Sequence, residues 1–289
     1  MHSPTRSEAD GGDSMLDRSL RTTLATDLDG TLIPLSHRAE NRDHLPVLAE
    51  LLQTSEMTLV FVTGRHFASV LNAIDEHSLP SPQWILCDVG TSAYERGIDG
   101  SFAPVSRYAD VMHSIMQDVD QQVLLSLADS IRGLRRQPSR NQTRFKTSFF
   151  APAELVDDVV AQIREQLGVT SESCQIISSI DPVSGEGLID LLPAGVSKAF
   201  ALDWWCREQN VTQHSVIFAG DSGNDLDAMQ SGYRSIVVGN AAASVVESAR
   251  QAHDRAGWTD RLFLAENHAT SGVLEGLRHF TRSMVDPSR

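Results

Sequence analysis

Short apolar runs alternate with helical patterns along most of the 289-residue chain. Four of these runs end in a short turn that contains Asp or Gly and precede a segment in which apolar residues recur every three or four positions. The runs are LATDLDG, TLVFVTG, SVIFAGD and RSIVVGN, and WILCDVG is a further predicted strand. Buried strands that alternate with amphipathic helices are typical of a parallel sheet flanked by helices. The pattern therefore predicts an α/β fold.

The hydrophobic pattern changes between about Gly100 and Leu192. Strand-like and helical runs still alternate there, but none of these strands leads into a Gly-Asp turn. RFKTSFFAP, CQIISSI and GLIDLLP are predicted strands, whereas VMHSIMQDVDQQVLLSLADSI and AELVDDVVAQIREQLG are predicted helices. We therefore predict a small α+β domain, residues 101–192, inserted into a core formed by residues 18–100 and 193–289.

Charge and composition narrow the range of functions. The formal net charge is -14, which argues against nucleic acids and anionic membranes as partners. Residues 1–17 are polar and lack the apolar segment of a signal peptide, so we expect a disordered tail. No apolar run is long enough to span a bilayer. Cys87, Cys174 and Cys206 are far apart and form no CxxC motif, so we expect reduced thiols and a cytoplasmic location.

Two aspartates close the first predicted strand. In an extended chain residues i and i+2 point the same way, so Asp27 and Asp29 face one spot. Because like charges repel, we expect a cation beside the two carboxylates or a raised pKa on one of them. Gly30 allows a tight turn, and Thr31 can start or cap the segment that follows. An acidic turn without function is the alternative for this motif taken alone.

Two further strand ends carry groups suited to a phosphate. The Thr63 hydroxyl and the backbone N–H groups at Gly64 fit a phosphoryl oxygen, although an ordinary helix N-cap is the alternative. Lys198 opens an apolar helix after a Pro/Gly loop. Such a lysine is usually solvated, but an anionic substrate of this acidic protein requires a local positive charge.

The segment AGDSGND, Ala219 to Asp225, is the most specific single motif. Asp221 ends a predicted strand, Gly223 frees the loop, and Asn224 and Asp225 open a helix. Mg²⁺ prefers oxygen ligands, takes one or two carboxylates and keeps several waters, so this loop suits Mg²⁺. Ligands of open α/β sheets bind beyond the carboxyl ends of the strands, where all these motifs are predicted to lie.

The combination of DLDGT, VTGR, a lysine before a helix, and GDSGND resembles the haloacid-dehalogenase-like (HAD) phosphatase superfamily. Only a helix and a strand fit between Thr31 and Thr63, whereas a full domain fits between Arg65 and Lys198. That spacing resembles the C2-capped members. The resemblance therefore implies a Rossmann-like parallel core with an inserted α+β C2-type cap that determines specificity.

A narrower resemblance is to the sucrose-phosphate phosphatases, through AGDSGND, DVGTSAY, FKTSFF, LIDLLPAGVSK and NHATSGVLEGLRHF. One segment departs from that family, because SSIDPVSGEGLIDLLP is longer and contains only Asp190 of two expected acids. The sequence therefore does not identify the substrate. One possibility is sucrose-6-phosphate or a related disaccharide or glycosyl phosphate, such as glucosylglycerol-phosphate or mannosylfructose-phosphate. The other is a broad range of sugar phosphates or nucleotides.

The HAD resemblance also implies a role for each motif. Asp27 is the nucleophile that forms an aspartyl-phosphate, and Asp29 protonates the leaving alcohol and then activates water. Thr63, Gly64 and Lys198 hold phosphate oxygens. Mg²⁺ is the implied cofactor, with Asp27, the backbone carbonyl of Asp29 and Asp221 as its ligands. Asp225 and Asn224 are implied to position either the waters of the metal or Lys198, and Asn224 also lies near the substrate.

In the cap, Lys146, Ser148 and Asp190 are candidates for sugar hydroxyls, with Arg144 a weaker one, and a solvated strand face is the alternative. A sugar-phosphate synthase, a glycosyltransferase, is the candidate protein partner. A chain that kept the fold as a non-catalytic partner of such a synthase is the remaining alternative. The intact set of motif residues argues against it.

Overall fold

A computed structural model describes residues 22–35, 39–116, 119–181 and 184–285. The tail predicted at residues 1–17 lies outside the described residues. Eight strands form one sheet. They are β1 Thr23–Thr26, β2 Thr58–Val62, β3 Trp84–Cys87, β4 Ser92–Arg96, β5 Phe102–Pro104, β10 Val216–Gly220, β11 Arg234–Val237 and β12 Leu262–Leu264. Their spatial order is β12–β11–β10–β1–β2–β3–β4–β5.

Six of the eight strands, from β12 to β3, run parallel, and β4 and β5 add an antiparallel edge. The predicted parallel α/β sheet is confirmed. β1 lies at its centre, where Thr26 pairs with Phe61 of β2 and with Ala219 of β10. The chain therefore leaves β1, β2 and β10 at neighbouring points on one edge of the sheet.

Helices cover both faces of the sheet. Their bounds are α1 Ala39–Thr54, α2 Phe67–His77, α3 Ser106–Ile115, α4 Gln121–Ser130, α5 Val156–Leu167, α6 Lys198–Gln209, α7 Leu226–Met229, α8 Ala243–Ala256 and α9 Ala269–Val285. Successive residues of β1 point to opposite faces. Leu24 packs with the apolar residues of α1, α2 and α9, whereas Ala25 packs in the cluster that contains α3, α6, α7 and α8.

The inserted segment contributes a separate antiparallel sheet. Its strands are β6 Arg135–Arg136, β7 Thr147–Ala151, β8 Cys174–Ile180 and β9 Gly187–Pro193. They lie in the order β6–β7–β9–β8. Side chains of α4 and α5 pack on it, and Phe149 and Ile189 belong to the same buried cluster as Ala25 of the core. The larger sheet continues to residue 104, so β5 lies with the core strands although the predicted division falls at residue 101.

One predicted helix is wrong. The apolar pattern from Val111 to Ile131 predicts a single helix, but the structure has α3 ending at Ile115 and α4 beginning at Gln121. Asp120 explains the second start, because its side chain accepts the backbone N–H of Gln122 as an N-cap.

All three cysteines are buried and unpaired. No helix among the described residues is long and apolar enough to cross a membrane.

Candidate active site

Asp27 and Asp29 lie just beyond β1, on the edge where β2 and β10 also end. The backbone N–H of Asp27 donates to the carbonyl of Ala219 at 2.9 Å, which extends the β1–β10 pairing by one residue. Gly30 then turns the chain with a φ of 80°. A Cβ at this position would lie 2.3 Å from Oδ2 of Asp221. Only glycine therefore allows the first motif to approach the acidic loop this closely.

Lys198 lies between two of the predicted aspartates. Its Nζ is 2.9 Å from Oδ1 of Asp27 and 2.7 Å from Oδ1 of Asp225, and the lysine side chain is 0% exposed. Burial acts to lower the pKa of Lys198, but the carboxylates of Asp225 and Asp27 outweigh it and hold that pKa above its usual range. The lysine is therefore charged, and Ser197, which caps α6, fixes the start of its helix.

Asp225 has both carboxylate oxygens engaged. Oδ1 accepts from Lys198, and Oδ2 accepts the backbone N–H groups of Asp221 and Ser222 and the hydroxyl of Ser222. Asp225 thus holds the acidic loop in shape and positions Lys198. Of the two roles that the resemblance implies for Asp225, positioning metal waters or positioning Lys198, the contact present here is the one with Lys198.

Asp221 faces the first motif and is held from two sides. Thr31 donates its hydroxyl to Oδ1 at 3.0 Å. Asn240, beyond the end of β11, donates from Nδ2 to the Gly30 carbonyl at 2.8 Å and to Oδ2 of Asp221 at 3.2 Å. Sequence reasoning missed Asn240, although it follows the apolar run RSIVVG and stands at a strand end like the other motifs.

The carboxylates of Asp27, Asp221 and Asp225 offer oxygen atoms that all lie within 4.8 Å of one another. Burial is the main cause that raises the pKa of Asp27. Burial and the charge of Asp225 together raise the pKa of Asp221 to about 6. These three buried carboxylates are difficult to ionise together, and a divalent cation between them would stabilise their ionised forms. The donor set therefore fits Mg²⁺. Asp225 accepts four hydrogen bonds, whereas Asp221 accepts one on each oxygen and Asp27 contacts Lys198 through Oδ1, so Asp27 and Asp221 keep more lone pairs for a metal.

The loop after β2 brings a further cation to the first motif. Arg65 donates from Nε and Nη2 to the two carboxylate oxygens of Asp29, each at 2.7 Å. Thr63 is buried, and its hydroxyl accepts the backbone N–H of Arg65. Arg65 lies in the second motif, VTGR, for which the sequence predicts roles only at Thr63 and Gly64. An arginine next to a predicted phosphate loop in an acidic chain is the signal that could have found it.

A cleft of about 880 Å³ opens over these residues. Its lining includes Asp27, Asp29, Gly64, Lys198, Asp221 and Asn224 from the core, and Lys146, Asp190, Gln137, Arg140, Asn141 and Gln175 from the inserted segment. Most of the predicted site residues are therefore brought together in one space.

The predicted cap residues differ in their access to this cleft. Lys146 and Asp190 line it. Ser148 is fully buried and donates its hydroxyl to Oδ1 of Asp190 at 2.5 Å, so it supports Asp190. Arg144 contacts His113 and lies over the ring of Phe145. Gln137 and Arg140 precede the predicted strand in a polar segment without a recognisable pattern, which explains why they were missed.

Comparison with known proteins identifies the family. Residues 20–281 match the family described as sucrose-6F-phosphate phosphohydrolase. A HAD-like hydrolase of Nitrosococcus oceani is 33% identical over 277 residues, which cover 92% of this chain and 74% of that protein. The mannosylfructose-phosphate phosphatase of Agrobacterium fabrum is 29% identical over 273 residues, which cover 89% of this chain and 96% of that enzyme.

A solved structure shows the same fold. The sucrose-phosphatase of Synechocystis, in complex with sucrose and phosphate, matches with a TM-score of 0.73 and 24% identity, over 90% of this chain and 98% of that chain. The predicted HAD fold and the resemblance to sucrose-phosphate phosphatases are both confirmed. The chain belongs to the sucrose-6F-phosphate phosphohydrolase family of HAD phosphatases, and it is a phosphoric monoester hydrolase.

Proposed function

We propose that the protein is a Mg²⁺-dependent phosphatase of sucrose-6-phosphate or a related disaccharide or glycosyl phosphate. One observation carries the proposal: a single cleft is lined by Asp27 and Asp29 at the end of β1 and by Lys146 and Asp190 of the inserted segment. A phosphate ester bound at the aspartates would extend its alcohol part towards polar groups that can bind hydroxyls.

In the proposed reaction a carboxylate oxygen of Asp27 attacks phosphorus, and the bond from phosphorus to the sugar oxygen breaks. Asp29 donates the proton that the departing alcohol needs, and then accepts a proton from the water that hydrolyses the aspartyl-phosphate. Arg65 orients Asp29: one of its two hydrogen bonds opens when an oxygen of Asp29 carries the proton for the alcohol, and both hold the ionised carboxylate that accepts the proton from water. Lys198 offsets negative charge beside Asp27, and Asp225 holds that lysine in place.

Mg²⁺ would be held by Asp27 and Asp221, with the backbone carbonyl of Asp29, and would offset the charge of the phosphoryl group. Two positively charged side chains at the site are important because the protein is acidic overall. Lys198 and Arg65 are already near the two aspartates, so a dianionic substrate does not meet an uncompensated negative site.

The identity of the sugar is tested by phosphate release from a panel of esters in the presence of Mg²⁺. The panel contains sucrose-6-phosphate, mannosylfructose-phosphate, glucosylglycerol-phosphate, glucose-6-phosphate and a nucleoside monophosphate. We expect kcat/KM for one glycosyl phosphate to exceed that for glucose-6-phosphate by about a hundredfold or more, because unmatched polar groups in the cleft are costly. Equal kcat/KM across the panel would instead indicate a broad-specificity phosphatase.

Mannosylfructose-phosphate is included in the panel because of a related enzyme. The Agrobacterium enzyme of that name aligns over 96% of its length. We also propose a sugar-phosphate synthase, a glycosyltransferase, as the protein partner.

A further inference from the structure

Residues 88–90 form a strained turn directly after β3. Asp88 and Val89 both have positive φ, at 54° and 58°. Residues other than glycine rarely adopt this left-handed region, and β-branched residues avoid it most. Such strain persists only where the surrounding structure imposes it, and it clusters at functional sites. The catalytic roles proposed above give this turn no function.

The turn is bonded to the loop that follows β2. The backbone N–H of Asp88 donates to the carbonyl of Arg65 at 2.9 Å, and that of Val89 donates to the carbonyl of Thr63 at 3.1 Å. These bonds connect the turn to the residue that orients Asp29. The strained backbone of the turn is thus imposed by the same loop that supplies part of the phosphate site.

The opposite side of the turn packs against the start of α6. A Cβ at Gly90 would lie 2.2 Å from the carbonyl oxygen of Ser197, the residue before Lys198. The carbonyl of Gly90 also accepts the buried hydroxyl of Tyr108. The turn therefore lies between two of the elements that supply the phosphate site, and its backbone has little freedom to move.

The Asp88 side chain points from this rigid turn towards the inserted segment. Its carboxylate is buried, and Oδ1 lies 3.3 Å from Nζ of Lys146, which is itself nearly buried. Within the described part of the chain Oδ1 accepts no hydrogen bond, so its contact with Lys146 is an ion pair, whereas Oδ2 accepts from Sγ of Cys87 at 3.7 Å. Lys146 lines the cleft that also contains Asp27 and Asp29. The ion pair is thus a contact between core and inserted segment at the edge of the cleft.

We propose that Asp88 is a positioning residue that holds the ammonium group of Lys146 at the cleft, where that group binds the glycosyl part of the substrate. An ammonium group has three donors, so one can face Asp88 while others face substrate oxygens. The inference rests on the proposed function. Recognition of the sugar then depends on a carboxylate of the core, Asp88, and the strained turn fixes the direction in which this carboxylate points.

Steady-state kinetics of Asp88→Asn, Lys146→Met and the double variant test the inference. Asn tolerates positive φ, so Asp88→Asn removes the charge but keeps the turn. Each variant is assayed with the preferred glycosyl phosphate and with p-nitrophenyl phosphate, which has no sugar. Asp129→Asn is the matched control, because it removes the same charge from an exposed pair with Arg136 in the inserted segment.

We expect each single variant to raise KM for the glycosyl phosphate about tenfold while kcat falls less than about threefold. The loss of kcat/KM for p-nitrophenyl phosphate should be several times smaller. The double variant should resemble the singles, since residues of one contact are not additive. Asp129→Asn should match the wild type. If Asp88→Asn does not fold, Lys146→Met, which leaves the turn intact, still tests whether the ammonium group binds the sugar, and an unchanged KM in that variant overturns the inference.

Equal losses with both esters, additive losses in the double variant, or an unchanged KM in the single variants would each overturn the inference. Such results in an enzyme that hydrolyses a glycosyl phosphate leave the proposed function standing. A wild-type protein inactive on both esters would contradict the proposed function, and the inference would fall with it.

Discussion

The guanidinium group of Arg65 contacts both carboxylate oxygens of Asp29, each at 2.7 Å. Two parallel charge-assisted hydrogen bonds fix the plane of a carboxylate as well as its position. The side chain of Asp29 is 45% exposed, so the pair contributes little to stability. The pair instead fixes an orientation, because Arg65, from the loop that follows β2, holds the carboxylate of the proposed acid–base residue Asp29 in one plane.

Arg65→Lys keeps the positive charge but loses the two-point contact. We expect kcat to fall about tenfold to a hundredfold, because general acid–base catalysis depends on the position of the proton donor. The free energy of unfolding should change by less than about 1 kcal/mol. Steady-state kinetics and urea unfolding measure both quantities. Arg136→Lys, in an exposed pair of the inserted segment, is the control, and a kcat for Arg65→Lys within twofold of wild type would contradict this role.

Gly30→Ala should weaken Mg²⁺ binding while the fold survives. The new methyl group would meet the Asp221 carboxylate, and the residue would keep an unfavourable positive φ. We expect the apparent affinity for Mg²⁺, measured by calorimetry, to fall at least about tenfold. Gly223→Ala is the matched control, since its Cβ would meet no atom within 4 Å and its φ is not positive. Equal Mg²⁺ affinities in the two variants would show that Gly30 does not set the distance between the motifs.

Lys198→Met should destabilise the protein strongly. It removes the cation between Asp27 and Asp225 and leaves two buried carboxylates without their partner. Loss of one member of a buried ion pair costs about 3–5 kcal/mol. Arg250→Met, which breaks an exposed pair with Glu247, should cost less than about 1 kcal/mol. Urea unfolding curves compare the two variants, and similar small losses would argue against a buried charge network.

The stability of the metal-free protein should depend on the ionisation of Asp221. Burial and Asp225 raise its pKa from the usual 3.8 to about 6 in the folded state. A raised carboxyl pKa stabilises the fold at low pH, and this contribution is lost as pH rises through about 6. Asp221→Asn should therefore gain stability relative to the wild type between pH 4 and 7, by up to about 3 kcal/mol.

With Mg²⁺ at pH 7 the wild type should be more stable than Asp221→Asn, because Mg²⁺ binds the ionised carboxylate that only the wild type has. Thermal unfolding with and without Mg²⁺ at several pH values measures both effects. A stability difference between wild type and Asp221→Asn that does not vary with pH would contradict the buried ionisation of Asp221.

The strand ends could be predicted because each apolar run stops at a polar motif residue. Asp27, Thr63 and Asp221 follow buried strands, and parallel strands place their carboxyl ends on one edge. The same logic would have found Asn240. Lys198 could be placed near the site only through the family resemblance, since its approach to Asp27 depends on how α6 packs.

Other contacts depend on three-dimensional features that leave no trace in a hydrophobic pattern. The pairing of Arg65 with Asp29 depends on the path of a loop. The contact of Asp88 with Lys146 depends on a positive φ and on how the inserted sheet lies against the core. The break between α3 and α4 was missed because the apolar periodicity continues across it, and only Asp120 marks the new helix.

Phosphate release by the wild type and Asp27→Asn, with the preferred glycosyl phosphate, tests the central claim most directly. Both proteins are assayed with Mg²⁺, after addition of EDTA, and after restoration of Mg²⁺. The account predicts turnover by the wild type that EDTA abolishes and Mg²⁺ restores, and a loss of at least about a thousandfold in Asp27→Asn, because the amide cannot act as the nucleophile. Full activity without metal, or substantial turnover by Asp27→Asn, would contradict it.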